Sequence, residues 1–329
     1  MKKHLVLLLV LLLAVGVVAC GNDTTTTPTE ETTPTESGEV AEEPAEEPAE
    51  ESNDPETLLV QLIPSRDAEK LDAQRAPLQE ILSAELGMPV EVSIATDYNG
   101  LIEAMKSEQV HVGLLATTSY VLAEEQGAAE AILKSLRYDL DDEGNLLEDQ
   151  PMVAGYKSQL VVGADTGITT VEDLKGKTIA ISSFTSTSGF VWPANLLADA
   201  GLDPQADVTW IDAGGHDNAI LAVYNGEADA AFTFKDARNL LEEEHPDVKE
   251  KVLFVLNTTE IPNDTISVIP GLSDELKENI KKAFLNMMED EENATIMRDI
   301  YSHEGYAEVN EGDYDQVIEY LDRAEEWDF

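Results

Sequence analysis

The sequence is short of cysteine, of positive charge and of long apolar runs, and each shortage closes off a class of function. A single cysteine, Cys20, excludes an intramolecular disulfide framework and a cysteine-built zinc site. Only 20 Lys and Arg stand against 67 Asp and Glu, a formal net charge of −47 over 329 residues. So acidic a chain cannot neutralise a phosphate backbone non-specifically, and nucleic acid is not an expected partner. No His, Cys and carboxylate spacing suits a metal, and there is no phosphate-binding lysine loop, dinucleotide fingerprint or Gly-x-Ser-x-Gly elbow. No metal, cofactor or catalytic residue is therefore expected. Hydrophobic content is an ordinary 43%, which rules out global disorder.

What is present begins with a targeting segment. Met1-Lys2-Lys3-His4 is a short basic start, followed by an apolar run from Leu5 to Ala19. That run is shorter than the ~20 residues of a spanning helix. With small residues before the cut, it reads as a secretory signal peptide over residues 1–19. The ending Val17-Val18-Ala19-Cys20 resembles a bacterial lipobox, in which Cys20 becomes the lipidated first residue and anchors the protein to the membrane. An uncleaved N-terminal anchor is the alternative. Residues 22–56 contain thirteen acids and no Lys, Arg or aromatic residue. Such a stretch buries too little apolar surface to offset its ordering entropy, so residues 20–56 are expected to form an acidic, disordered tether.

From Thr57 onward strands and helices alternate. Leu58 to Ile63 is a short apolar run stopped by Pro64, and Leu71, Leu78, Ile81, Leu82 and Leu86 recur at helical spacing before Gly87. Further strands are expected at 90–95, 110–115, 158–163, 177–182, 208–211, 228–234, 252–257 and 265–269, and the chain ends in helices. The alternation predicts an α/β fold with mostly parallel sheets. Two lobes are expected, one of residues 57–154 plus 265–329 and one of 155–264. In open α/β sheets ligands bind at the carboxyl ends of strands, so two facing lobes would enclose a cleft that can close.

Three segments after strand ends carry donors for an anion. Ser186-Thr187-Ser188-Gly189 places hydroxyls where a helix begins, beside free backbone N–H groups and the positive end of the helix dipole, although an ordinary N-cap has the same composition. Gly214-Gly215-His216 puts an imidazole at another helix start, where it is a donor or a surface residue. Asp97-Tyr98 offers a phenol or a packed core aromatic. No Arg or Lys lies in these three segments, so neutral donors are expected to hold the anion against the acidic field.

The chain resembles the phosphonate-binding proteins of ABC importers, a family that also includes binders of phosphite and related phosphorus oxyanions. The resemblance runs from Leu58 to about Tyr306. It is carried by Ala95-Thr96-Asp97-Tyr98, Gly155-Tyr156, Ser186-Thr187-Ser188-Gly189-Phe190, Gly215-His216-Asp217 and Ile261-Pro262-Asn263-Asp264. It implies a two-lobed type II periplasmic-binding-protein fold with a hinge and an interlobe ligand cleft. It further implies phosphonate oxygens held by Tyr98, Tyr156, Ser186, Thr187, Ser188 and His216. Asp236 and Asp264 would face the amine of a ligand such as 2-aminoethylphosphonate. Here Asp236 is shorter than the family's Glu, and Lys235 or Arg238 could neutralise it. Helix capping and a turn are the structural alternatives for Asp236 and Asp264. The protein would capture its ligand outside the cytoplasmic membrane, as a lipoprotein, and deliver it to an ABC permease.

Three other functions share these residues. Phosphite, phosphate or another phosphorus oxyanion would use the same donors without the two acids. Ser186 or Ser188, His216 and Asp236 are the residue types of a hydrolase triad. The Thr/Pro/Glu stalk also suits a surface adhesion or sensor protein.

Overall fold

The computed structural model describes residues 54–141, 145–324 and 327. The expected signal peptide, the lipidation at Cys20 and the tether as far as residue 53 lie outside the described residues, as do positions 142–144 of the acidic loop. The chain is held to the fold from Asp54, whose carboxylate accepts hydrogen bonds from the Ser273 amide at 2.8 Å and hydroxyl at 2.6 Å.

The elements run in the order β1 (Leu58–Leu62), α1 (Ala68–Leu86), β2 (Val90–Ile94), α2 (Tyr98–Lys106), β3 (Val112–Leu115), α3 (Thr117–Glu125), β4 (Glu130–Leu136) and β5 (Gly155–Gly163). Then come β6 (Thr178–Ile181), α4 (Trp192–Asp199), β7 (Thr209–Asp212), α5 (His216–Tyr224), β8 (Ala230–Phe234), α6 (Val248–Lys251) and β9 (Val252–Pro262). The chain closes with β10 (Thr265–Val268), α7 (Asp274–Met287), α8 (Glu291–Tyr301), β11 (Gly305–Ala307) and α9 (Asp315–Ala324). Local chemistry sets many of these bounds. Asp67 caps α1 by accepting from the amides of Glu69 and Lys70, and Gly87 ends it in the left-handed conformation at φ 65°. Asp97 caps α2 through the Gly100 amide.

Two sheets result. The first has the order β11-β4-β10-β3-β1-β2, and the second β7-β6-β8-β5-β9. The expectation of mostly parallel sheets is corrected: both are mixed. β1 runs parallel to β2 and β3, and β6 parallel to β7 and β8, but β10 is antiparallel to β3 and β4, and β5 is antiparallel to β8 and β9. Strands β4 and β11, which carry weak alternation, were not expected from the sequence; they pair with each other. The antiparallel strands arise because the chain crosses between the sheets twice, after β4 and after β9, and each return enters from the opposite direction.

This crossing decides what gathers at one end of the molecule. The carboxyl ends of β1, β2, β3, β6, β7 and β8 supply loops there, as any parallel sheet would. Because β10 and β5 run the other way, their amino-terminal ends arrive at the same place: Thr265 lies opposite Leu115, and Ser158 opposite Phe234. Strand β4 pairs antiparallel to β10, so its carboxyl end joins them. The second sheet is buried on both faces. Leu160, Val162, Ile179 and Phe232 pack into one core cluster, and their neighbours Val161, Ala180 and Ala231 into another. The largest cluster fills the first sheet and its helices.

Candidate functional site

Loops from both sheets enclose a cavity of about 40 Å³. A single water needs roughly 10–15 Å³ on the same measure, so the space suits a compact tetrahedral ion. Its lining includes Tyr98, Tyr156, Ser186, Thr187, Ser188, His216 and Asp264, which the sequence spreads over 167 positions, together with Ser65, Arg66, Arg137 and Tyr301.

The hydroxyl run is built by local capping. Ser186 is the N-cap of a π-helical turn, Thr187–Val191, that leads into α4, and its Oγ accepts from the Gly189 amide at 3.1 Å. The first amides of the turn have no acceptor within the helix. Gly189 is required by close approach: a Cβ there would lie 2.7 Å from Ser182 Oγ and 2.9 Å from Ser186 Oγ. The Thr187 hydroxyl accepts from the Thr118 amide at 2.9 Å, which leaves its proton to donate. Ser158 fixes the Ser188 carbonyl at 2.6 Å. The Tyr98 phenol neighbours Ser182 and Ser186, and the Tyr156 phenol neighbours Ser188 and Thr117; burial pushes both phenols up, so both stay protonated donors.

His216 opens α5 with its ring buried against Phe234, at 4.9 Å between centroids. Its Nε2 lies 3.3 Å from Ser182 Oγ, and its Nδ1 is buried with no partner among the described residues. Burial, then repulsion from Arg66, push its pKa down to about 3, so the imidazole is neutral at physiological pH. A neutral imidazole carries one N–H, and the tautomer decides whether Nε2 accepts from Ser182 or donates to it.

The sequence reading missed the cations. Arg66, in the loop after β1, is buried, and burial followed by repulsion from Arg137 lowers its pKa to about 10, still charged near neutrality. Its Nη atoms donate to the Asp299 carbonyl at 2.9 Å and to Ser302 Oγ at 2.7 Å. Arg137, just past β4, lies with Cζ 4.6 Å from the Tyr156 ring centroid, and its buried Nε has no partner among the described residues. The signal for Arg66 was available, because its loop follows a strand end like the other three. Arg137 carried none, since its strand was not recognised.

The two acids expected at an amine end part company. Asp264 lines the cavity, but its Oδ2 accepts from Arg137 Nη2 at 3.2 Å and lies 3.6 Å from His303 Nε2. Burial pushes its carboxyl up, yet His303 and the Arg137 guanidinium outweigh that and hold it below the ordinary carboxylate range. Asp236 does not reach the cavity. Its Oδ1 accepts from Arg238 Nε at 2.7 Å, it caps no helix through its side chain, and it faces a neighbouring cavity of about 210 Å³. The Arg238 pairing weighed from the sequence is the one present. The residue types of a hydrolase triad are thus not assembled: Asp236 pairs with Arg238, and the contact that His216 makes is with Ser182, neither of the two serines considered.

Arg66 and Arg137 against Asp264, with a neutral His216, give the lining an excess of one positive charge. At about 4 Å and an effective dielectric near 20, a unit charge pair is worth roughly 4 kcal/mol, whereas distant surface carboxylates are screened over about 8 Å. The local cations therefore outweigh the acidic surface. The two sheets' loops also bond directly across the cavity's edge: the His216 amide donates to the Ser65 carbonyl at 3.1 Å and the Asp67 amide to Asp217 Oδ2 at 2.8 Å. Among the described residues no His, Cys, Asp and Glu cluster is placed to hold a metal, and no helix is long and apolar enough to cross a membrane.

The profile of the family described as "ABC transporter, phosphonate, periplasmic substrate-binding protein" matches residues 60–314. The "Phosphate-import protein PhnD" of Mycolicibacterium smegmatis is 32% identical over 188 residues, 55% of this chain and 56% of the relative. The "Phosphonates-binding periplasmic protein" of Escherichia coli K12 is 24% identical over 229 residues, 68% of this chain and 64% of the relative. The chain thus spans less than two thirds of either relative's length. Among solved structures, PhnD1 of Prochlorococcus marinus in complex with methylphosphonate superposes with a TM-score of 0.69 at 19% identity, covering 83% of this chain and all of that one. A binding-protein component of an ABC phosphonate transporter from Pseudomonas aeruginosa gives 0.70 at 20%, covering 82% of this chain and 86% of that one. The fold is that of type II periplasmic binding proteins.

Proposed function

This chain belongs to the phosphonate-binding family of periplasmic ABC-transporter substrate-binding proteins, and we propose that it captures a phosphorus oxyanion, such as a phosphonate, outside the membrane and delivers it to an ABC permease. The observation that carries this reading is the convergence of Ser186, Thr187, Ser188, His216, Tyr98 and Tyr156, with Arg66 and Arg137, on one small cavity. The hydroxyls, the first amides of the π-helical turn and the His216 imidazole supply directed donors, and the two arginines supply charge. Residues 57–154 with 265–329 and residues 155–264 form two lobes, with the chain crossings near Arg137 and Asp264 as the hinge. Cys20 carries the lipid, and residues 20–56 let the binding domain range from the membrane to the permease. Fully extended, that segment reaches on the order of 100 Å.

A second reading keeps the site and changes the cargo to inorganic phosphate. It is supported by the cavity volume, which leaves little room for an organic substituent, and by the likeness to a mycobacterial protein named for phosphate import.

Thermal melting and calorimetric titration of the full-length protein with phosphate, phosphite and methylphosphonate test both readings, with chloride and acetate as controls. A ligand that binds only the folded state raises the melting temperature. Stabilisation by at least one phosphorus oxyanion, and not by the controls, is the expected result. A protein indifferent to all three would end the reading.

A further inference from the structure

Asp264 and Arg137 sit on the two chain segments that cross between the sheets, at the edge of the oxyanion cavity. Arg137, Tyr156 and Phe234 line both the small cavity and the 210 Å³ cavity beside it, so these side chains form the partition between the two. A substituent on a bound oxyanion that pointed toward the larger space would have to pass this partition. The guanidinium is fixed there from two sides: Nη2 donates to Asp264 at 3.2 Å, and the Tyr156 ring lies under Cζ at 4.6 Å. Its Nε, buried and unpartnered, is a donor still to be satisfied. One oxygen, Oδ2, of the carboxylate that would meet a ligand's amine is thus already engaged by a cation belonging to the protein. The other groups facing it do not restore an amine site, since His303 Nε2 stands 3.6 Å away on the far segment after α8 and Asp236 is turned to Arg238.

We propose that Arg137 is the specificity-determining residue of this site: held by Asp264, its guanidinium takes the position of a ligand amine and selects a compact tetrahedral oxyanion that bears no cationic substituent. The inference rests on the oxyanion reading above and narrows its substrate class. Asp264 acts as a positioning residue for Arg137. An aminoalkylphosphonate meets two obstacles, because its ammonium is repelled by Arg137 and its carboxylate partner is partly neutralised through Oδ2. Phosphate and methylphosphonate meet neither.

Calorimetric titration of the full-length protein with phosphate, methylphosphonate and 2-aminoethylphosphonate, for the wild type and for Arg137→Gln, tests this. In the wild type 2-aminoethylphosphonate is expected to bind at least tenfold more weakly than methylphosphonate. In Arg137→Gln methylphosphonate and phosphate lose at least tenfold, while the ratio of 2-aminoethylphosphonate to methylphosphonate affinity rises at least tenfold, because Asp264 is released. A merely structural arginine would weaken all ligands by a common factor and leave that ratio unmoved, which overturns the proposal. Equal or tighter binding of 2-aminoethylphosphonate by the wild type overturns it too, and this arm decides the matter should Arg137→Gln not fold. If the wild type binds none of the three, this inference falls, and the oxyanion reading falls with it only if phosphite is not bound either; binding with an unmoved ratio removes the inference alone.

Discussion

The cavity has two walls of different chemistry. The wall from the five-stranded sheet presents Ser186, Thr187, Ser188 and His216, all neutral, and each is placed by a helix start within a few residues of its own strand. The wall from the six-stranded sheet and the crossings adds the neutral Tyr98 phenol, but it alone presents charge, through Arg66, Arg137 and Asp264, none of them placed by a local motif. Arg66 is held by Asp299 and Ser302, more than 230 positions away, and Arg137 by Asp264, 127 positions away. Direction and charge are thus supplied separately. Neutral donors fix where the oxygens go, and remote cations set how strongly a negative ligand is drawn into a molecule of net charge −47.

The contrast can be broken from either side. The largest effect is expected from Gly189→Ala, whose Cβ would press on Ser182 Oγ and Ser186 Oγ together. It should displace the Ser186 cap and the Ser182–His216 contact at once, cost about 1–3 kcal/mol of stability from overpacking, and abolish oxyanion stabilisation in a thermal melt. Unchanged binding would show that the neutral wall tolerates a shift and does not direct the ligand. Next, Arg66→Met should cost about 3 kcal/mol of oxyanion affinity and flatten its dependence on ionic strength, as read by calorimetry at two salt concentrations. Ser188→Ala should cost less, about 1.5–2 kcal/mol for one hydrogen bond to a charged ligand, and should leave the salt dependence intact. If Ser188→Ala costs more than Arg66→Met, the division of labour is the reverse of the one argued.

The last test concerns folding stability and pH and bears least on the ligand. Burial holds the His216 imidazole neutral, with its pKa lowered from 6.5 to about 3, whereas the unfolded chain takes up a proton near 6.5. The unfolded state therefore binds more protons between those values. Stability is full above about pH 6.5 and falls as the pH drops toward 3, by about 1.4 kcal/mol per unit from this residue. His303, lowered by burial despite Asp264, acts in the same direction. Melting temperatures of wild type and His216→Gln from pH 7 to 4 should converge as the pH falls, and parallel curves would refute the burial argument.

Most of the neutral donors were legible in the chain. A Ser-Thr-Ser-Gly run after an apolar strand, a Gly-Gly-His at another strand end and the capping Asp97 before Tyr98 are all short-range patterns, and each stands where the sequence placed it. Tyr156 was legible only through the family likeness. The charged wall was not legible, for two reasons. Strand β4 alternates too weakly to be seen, so Arg137 had no frame. The pairing of Asp264 with Arg137, where an amine contact had been expected, depends on which strands run antiparallel. Asp236 illustrates the same limit: the sequence offered Arg238 as a partner, but only the buried turn after β8 shows that the carboxylate leaves the cavity for it.

By itself the sequence determined the α/β alternation, the helix starts and the hydroxyl and imidazole donors, because period, capping and turn chemistry act over a few residues. The tertiary structure decided the mixed sheets, the two arginines beside the donors and the partition between the cavities. Those depend on strands entering from opposite directions and on charges that meet across more than a hundred residues, where no local pattern records the distance.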